Sequence, residues 1–260
     1  MRAGPVSLDI FPLSAIMSTG IIDSMPWRIK DMKTKLCGPA LRQIRENFSY
    51  TENDIGDDRH LSHIGLNFAV HSYEIENVGH LCAMTLKAFG GLMTMETIVI
   101  SPMKKDVPLF NMDRVTAFGK DTLLIEIYDT QLEPLEDEAQ MEFKELLDRD
   151  SALSDIESEP HWYDSIRYPF SYAKAGKGLE EPFKRAQKDY LATYLKVISE
   201  APYCDEEAKL AKNREYAEKL VSNKGPAVDT MRNHFGDETM RRVVLQHMYG
   251  IADVQAEQEE

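Results

Sequence analysis

The chain reads as an α+β protein, an α/β/α three-layer sandwich with a central antiparallel sheet flanked by helices. Three observations carry that reading. Residues 66–128 form a run of β-branched, methionine-rich and aromatic segments joined by short connections, the texture of an antiparallel meander of four or five strands. These segments lack a clean apolar/polar alternation, as Leu123-Leu124-Ile125 shows, so both faces of the sheet are expected to be covered. Helical patterns follow the strands instead of alternating with them, which separates this architecture from a wound βαβ fold.

Taken in order, residues 27–48 space apolar positions three to four apart and predict a helix broken near Gly38-Pro39. Residues 53–63 read as polar loop. Strands then fill 66–128, punctuated by Gly90-Gly91, by the connection 102–108 and by Gly119-Lys120-Asp121. Helices are expected near 135–148, 180–199, 205–221, 226–234 and 238–248. No internal repeat, phosphate-binding glycine loop or low-complexity linker interrupts the chain, so 1–260 is read as a single domain with a disordered acidic tail over 252–260.

With 43% hydrophobic residues in 260, a sizeable core is available. The net charge of -14 argues against general binding to nucleic acid or anionic membrane, both of which need clustered lysine and arginine. Cys37, Cys82 and Cys204 share no short spacing, so neither a disulfide framework nor a metal or redox pair is expected, and a reducing, cytoplasmic setting is the simpler reading. The apolar stretch 10–17 is interrupted by Pro12 and preceded by Asp9, so no signal peptide is expected, and no run reaches membrane-spanning length. His60 and His63 sit three apart in a loop-like segment without a following ligand, so no metal site is expected.

Three successive strands each carry one acid: Glu96, Asp113 and Glu126. A carboxylate within a buried strand requires a partner or a task. If 101–109 is a simple hairpin connection, residues near 96 and 113 lie opposite each other, and a one-residue change of register decides whether they share a face. Two close carboxylates would push one pKa toward neutrality. The structural alternatives are an ion pair of Asp113 with Arg114 or Lys87, and cation partners for Glu96 and Glu126 in the opposite helical layer.

The segment Val107-Pro108-Leu109-Phe110-Asn111-Met112-Asp113 resembles the central Pro-Leu/Ile-Phe-x-x-Asp strand of the ferredoxin-dependent bilin reductases. Further on, Asp189-Tyr190-Leu191-Ala192-Thr193-Tyr194-Leu195, then Gly225-Pro226-Ala227, then Phe235-Gly236-Asp237-Glu238 are similar to that family's tyrosine-rich helix, Asp-Pro-Ala segment and closing helix, in the same order. The resemblance implies an α/β/α fold that holds an open-chain tetrapyrrole between the sheet and the C-terminal helices. It also implies an oxidoreductase without flavin or metal of its own, in which electrons from a ferredoxin or flavodoxin-type donor enter a biliverdin-like bilin and acidic side chains supply protons to the radicals.

Carried over by residue, the family's proton-donating aspartate falls on Asp113, with Glu96 as a second acid. The position of a strand histidine falls on Thr97 or its neighbour Glu96. Gly225 replaces the aspartate of the Asp-Pro-Ala segment, with Asn223 two residues away. Arg232, Arg241 and Arg242, Lys104 and Lys105, and Lys174 and Lys177 are the candidates to anchor the pigment's propionates or to meet a donor protein, and His247 is placed to reach a propionate. The missing strand histidine and strand glutamate keep open a non-catalytic tetrapyrrole carrier and a reductase of another open-chain tetrapyrrole such as a chlorophyll catabolite. Outside tetrapyrroles stands an α+β interaction protein.

Overall fold

The computed structural model of the chain describes residues 34–156, 159–223 and 225–252. Its strands are β1 (Tyr50–Glu52), β2 (His60–His63), β3 (Leu66–Ile75), β4 (Gly79–Ala88), β5 (Met93–Pro102), β6 (Leu109–Ala117), β7 (Lys120–Tyr128) and β8 (Tyr172–Gly176). They form one sheet in the order β1-β3-β4-β5-β6-β7-β8, with β2 also paired to β3, and every pairing is antiparallel. β3 to β7 are the meander read from the sequence. Thr94, Thr97, Ile98, Val99 and Ile100 illustrate why: β-branched side chains suit the pleated backbone of β5 and restrict a helix.

Two helical layers sandwich this sheet. On the first face lie α1 (Cys37–Asn47), α2 (Asp137–Arg149) and α3 (Glu180–Glu200). α3 buries Phe183, Ala186, Tyr190, Leu191, Tyr194, Leu195 and Ile198, a three-to-four spacing that presents one apolar stripe. It is fixed in height where the Tyr194 hydroxyl donates to the Pro108 carbonyl at 2.6 Å.

The second face carries α4 (Glu206–Ser222), α5 (Pro226–Phe235) and α6 (Asp237–Arg241), which passes into a π-helical turn over Arg242–Met248. Asp205 caps α4 by accepting the Ala208 N–H at 3.0 Å. Unusually, α4 buries Lys209 completely: its Nζ donates to the Thr130 carbonyl at 2.6 Å and hydroxyl at 3.0 Å, and burial lowers its pKa to about 8. The chain turns out of the π-helical segment at Gly250, whose φ of 69° and closeness to His80, 2.7 Å from any added Cβ, exclude a side chain there. No helix among the described residues is long and apolar enough to cross a membrane.

Several elements differ from the sequence reading. Helix α1 is not broken at Gly38-Pro39 but begins there, because Pro39 occupies the first turn, where a missing N–H costs nothing. Residues 27–33 of the expected helix lie outside the described residues, as does the tail 253–260. The segment read as loop over 53–63 contains a 3₁₀ turn, Gly56–Arg59, and β2. β8 had no counterpart in the sequence reading.

The turns also divide into two kinds. The β3–β4 turn puts Asn77 at a φ of 60°, an ordinary choice for a left-handed position. At the other end of the sheet, the β2–β3, β4–β5 and β6–β7 tips put Ile64, Phe89 and Phe118 at φ of 42°, 53° and 50°, each followed by glycine.

β5 meets β6 with Thr97 opposite Asp113 and Glu96 opposite Arg114. Glu96 therefore points to the first face. Its Oε1 accepts the Lys35 N–H at 2.8 Å and its Oε2 accepts the Leu36 and Cys37 N–H groups, each at 2.9 Å. A carboxylate thus satisfies the orphan donors at the start of α1, where the helix dipole also favours negative charge. The acid pair with Asp113 considered from sequence does not exist, because neighbouring strand residues face opposite ways. Glu96→Ala should lower the unfolding free energy by about 2–4 kcal/mol, since three N–H groups lose their acceptor at a buried helix end. Glu96→Gln, which keeps one oxygen, should lose less, and urea denaturation would measure both.

Candidate functional site

Burial along the strands reveals where the second face opens. β3 and β4 are buried almost throughout, whereas β7 alternates, with Leu123, Ile125 and Ile127 buried on the first face and Thr122, Leu124 and Glu126 partly exposed on the second. Both faces of β7 are therefore not equally covered, contrary to the expectation drawn from Leu123-Leu124-Ile125. The same partial exposure continues across the second face at Met95 of β5, Asp113 and Val115 of β6, and Ala173 of β8. A half-open floor in the middle of a sheet, with the acids Asp113 and Glu126 set among largely apolar side chains, is the geometry of a ligand cleft.

Asp113 lies at the centre of this floor, between Thr97 and Leu124 on the flanking strands. The Thr97 hydroxyl, itself buried, donates to Asp113 Oδ1 at 2.5 Å. The carboxyl touches open space while protein encloses it on its other sides. Burial raises its pKa to about 7, opposed by the Thr97 hydrogen bond and reinforced by the charge of Glu126. The ion pair with Arg114 considered from sequence does not form, because Arg114 points to the first face and meets Glu180 at 2.9 Å. Glu126, on the same face as Asp113, is held by Arg167 at 3.2 Å.

One end of the floor is closed by aromatic rings from four parts of the chain. Tyr128 meets Tyr216 of α4 at 4.7 Å and Tyr163 at 5.6 Å between ring centroids, Trp162 packs on Tyr216 at 5.5 Å, and Tyr249 joins Tyr216 at 5.5 Å. Asn111, two residues before Asp113, donates to the Tyr249 hydroxyl at 3.1 Å. Burial pushes the Tyr128, Tyr163, Tyr216 and Tyr249 hydroxyls above their ordinary range, so all four stay neutral near pH 7. Sequence reasoning missed this wall. Tyr216 is spaced with Lys209 and Asn213 along one stripe of α4, a helical signal that was available, whereas the contribution of Arg167 depends on the path of an irregular loop.

The remaining candidates are engaged elsewhere. Asn223 caps α4, donating to the Lys219 carbonyl at 2.6 Å. Arg232 ties α5 together through Asp229 and Asp237, each at 2.8 Å. Arg241 meets Glu218 at 3.1 Å. His247 lies 2.9 Å from Asp58, which also takes Arg242 at 2.6 Å; these partners hold the Asp58 carboxyl below its ordinary range, the Arg242 hydrogen bond most of all. These carboxylate pairs fix the closing helices to the rest of the chain and do not gather around Asp113. Lys174 is buried against Asp155 at 2.7 Å, and Lys105 donates to the Ala201 carbonyl at 2.6 Å. Among the described residues no three histidine, cysteine, aspartate or glutamate side chains are grouped to hold a metal ion. A shallow cavity of about 450 Å³ lined by Asn53, Ser72, His80, Gln246 and His247 lies at the β1–β3 side and does not include Asp113.

The fold and this site define an α/β/α sandwich with an acid-bearing cleft between its sheet and C-terminal helices. Among solved structures, phytochromobilin synthase from tomato, in complex with biliverdin, has the same fold: the TM-score is 0.66 over 82% of this chain and 81% of that one. The two are 13% identical in sequence, so the likeness is one of fold, and it meets the resemblance to bilin reductases at that level. No protein-family model matches the chain, and no curated protein matches it.

The raised pKa of Asp113 carries a linked cost. Its folded pKa of about 7 exceeds the usual value near 3.8, so the folded state holds the proton more tightly than the unfolded one. The penalty is absent below about pH 4 and fully present above about pH 7. Asp113→Asn should therefore gain about 2–4 kcal/mol relative to the native protein at pH 8 and little or nothing at pH 4, measured by denaturant unfolding at the two pH values.

Proposed function

We propose that this protein reduces a linear tetrapyrrole of the biliverdin type by proton-coupled single-electron transfers from a ferredoxin or flavodoxin-type donor, with Asp113 as the proton donor. The observation that carries the reading is Asp113 itself, a carboxyl with a pKa of about 7 at the centre of a half-open apolar floor. The biliverdin named for the structural neighbour supports the choice of ligand class. The width of the floor, from Met95 to Ala173, suits a flat, flexible conjugated molecule, and the aromatic wall supplies stacking surface at one end.

In this reading the pigment is the redox centre and the protein supplies position and protons. Saturating one double bond consumes two electrons and two protons. Burial raises the Asp113 pKa to about 7, so the carboxyl can hold a proton near neutral pH, the condition in which a general acid works best. After an electron arrives, the radical anion takes the Asp113 proton, the carboxylate that remains is held by the Thr97 hydroxyl, and solvent returns a proton through the open side of the floor. Thr97 acts as a positioning residue, holding the carboxyl oxygen on the pigment face.

The decisive experiment mixes the purified protein anaerobically with biliverdin, a ferredoxin and its NADPH-driven reductase, and follows the visible spectrum. Loss of the biliverdin band with growth of a product band is expected, at a rate that falls as pH rises through about 7 because the acid loses its proton. Asp113→Asn should retain the pigment's binding shift and slow turnover by about 100-fold or more. A bound but static spectrum in the native protein would point to a carrier, and undiminished turnover in the variant would remove Asp113 from its role.

A further inference from the structure

We propose that Glu126 and Arg167 act together as positioning residues for Asp113, their charges setting the pH at which its carboxyl gives up a proton. The placement follows from strand register. Leu124 of β7 lies opposite Asp113, and Glu126 lies opposite Asn111. Glu126 is therefore the diagonal neighbour of Asp113 on the second face, about 7 Å away. Arg167 follows the 3₁₀ turn Trp162–Ser165, and its backbone is bridged to Tyr128 at the end of β7. There the Asp129 N–H donates to the Ile166 carbonyl at 2.7 Å and the Tyr168 N–H to the Ile127 carbonyl at 2.9 Å. Residues opposed across an antiparallel bridge share a face, so the Arg167 side chain starts beside Tyr128 and reaches back along β7 to Glu126 at 3.2 Å.

The other ionisable groups around Asp113 are neutral or turned away. Burial raises the Tyr163, Tyr216 and Tyr249 hydroxyls, and likewise the Cys37 thiol on the α1 side of the sheet, so all keep their protons near pH 7. Glu96, Lys87, Arg114 and Lys174 face the first layer. Asn111, across from Glu126, donates to the Tyr249 hydroxyl, which leaves the glutamate to Arg167.

Arg167 compensates Glu126 only in part, because it is shared. One nitrogen meets Glu126 while the other meets Asp164 at 2.9 Å, and the guanidinium lies 5.8 Å from the Tyr163 ring. Asp164 is itself fixed on its turn, accepting the His161 N–H at 2.7 Å. One cation thus serves two acids, and the floor beside Asp113 keeps a net negative charge that favours the protonated carboxyl. Removing the Glu126 charge leaves a cation there and favours ionisation, whereas removing the Arg167 charge leaves a bare carboxylate and favours protonation. At about 7 Å and an effective dielectric constant of about 20, a unit charge moves a pKa by about 1.7, and solvent screening brings that down to on the order of one.

The test follows the infrared carbonyl stretch of protonated Asp113, assigned by its loss in Asp113→Asn, from about pH 6 to about pH 9 in the full chain without pigment. The native midpoint is expected at about 7. Glu126→Gln should lower it by on the order of one pH unit and Arg167→Gln should raise it, while Arg167→Lys, which keeps the charge, should stay close to native. An unmoved midpoint in Glu126→Gln, or shifts of the same sign in the two neutral variants, would overturn the proposal. So would Arg167→Lys shifting as far as Arg167→Gln, since shape and not charge would then be acting. Should Arg167→Gln fail to fold, Glu126→Gln decides alone. The effect on the carboxyl needs no pigment; its bearing on turnover rests on the function proposed above. A shifted carboxyl beside an unmoved pH–rate profile would count against Asp113 as proton donor and leave the action of the charge pair standing.

Discussion

The division of labour in this structure rests on one residue of phase between β5 and β6. With Thr97 opposite Asp113 and Glu96 opposite Arg114, adjacent residues on each strand serve different layers. Toward the first face the two charged side chains build scaffold: Glu96 holds the start of α1, and Arg114 meets Glu180 at the start of α3. Toward the second face, a hydroxyl and a carboxyl meet over an apolar floor. A slip of one position would exchange the two sets and leave α1 without its acceptor and the cleft without its acid. Register here sets both the anchoring of the helices and the placing of the acid.

The ionisable groups kept inside are retained against their solvation preference. Asp113 is held where its charged form is disfavoured, and Lys209 of α4 likewise, with only neutral acceptors in hydrogen-bond contact with the lysine. The two differ in what surrounds them. Lys209 donates to Thr130 twice and faces no open space, so it locks α4 to the segment after β7. Asp113 receives one hydrogen bond and otherwise looks onto the floor, which leaves its proton available. Similar desolvation thus produces a fastener in one place and, in the other, a carboxyl of raised pKa beside an open floor.

The sheet and most helices were legible because their signals are local. Apolar runs between glycine and proline connections mark β3 to β7, and the three-to-four spacing of Phe183 through Ile198 marks α3. β8 was not legible, since Ala173-Lys174-Ala175-Gly176 looks like exposed chain until Asp155 and the Leu153 carbonyl are brought to the lysine. The same holds for Arg241 and His247, which read as ligand-binding cations because nothing local shows that Glu218 and Asp58 will reach them, whereas Asp229, three residues before Arg232 on α5, was a local signal of that pair. Glu96 failed for a sharper reason: its face depended on a register that the strand sequences alone left undecided. Asp113 was legible because an acid in an apolar strand is anomalous wherever the helices fall.

The sheet ends in short strands on both sides, β1 of three residues and β2 of four along one edge and β8 of five along the other. Such edges offer few unpaired backbone groups to a passing chain. An open apolar floor is a hazard of another kind, since exposed grease promotes clumping when protein is concentrated. Blunt edges remove the template on which such encounters would grow into fibres, and the large excess of acid keeps molecules apart before they touch. Both features work against such growth, a colloidal safeguard set by the margins of the sheet and the charge of the surface.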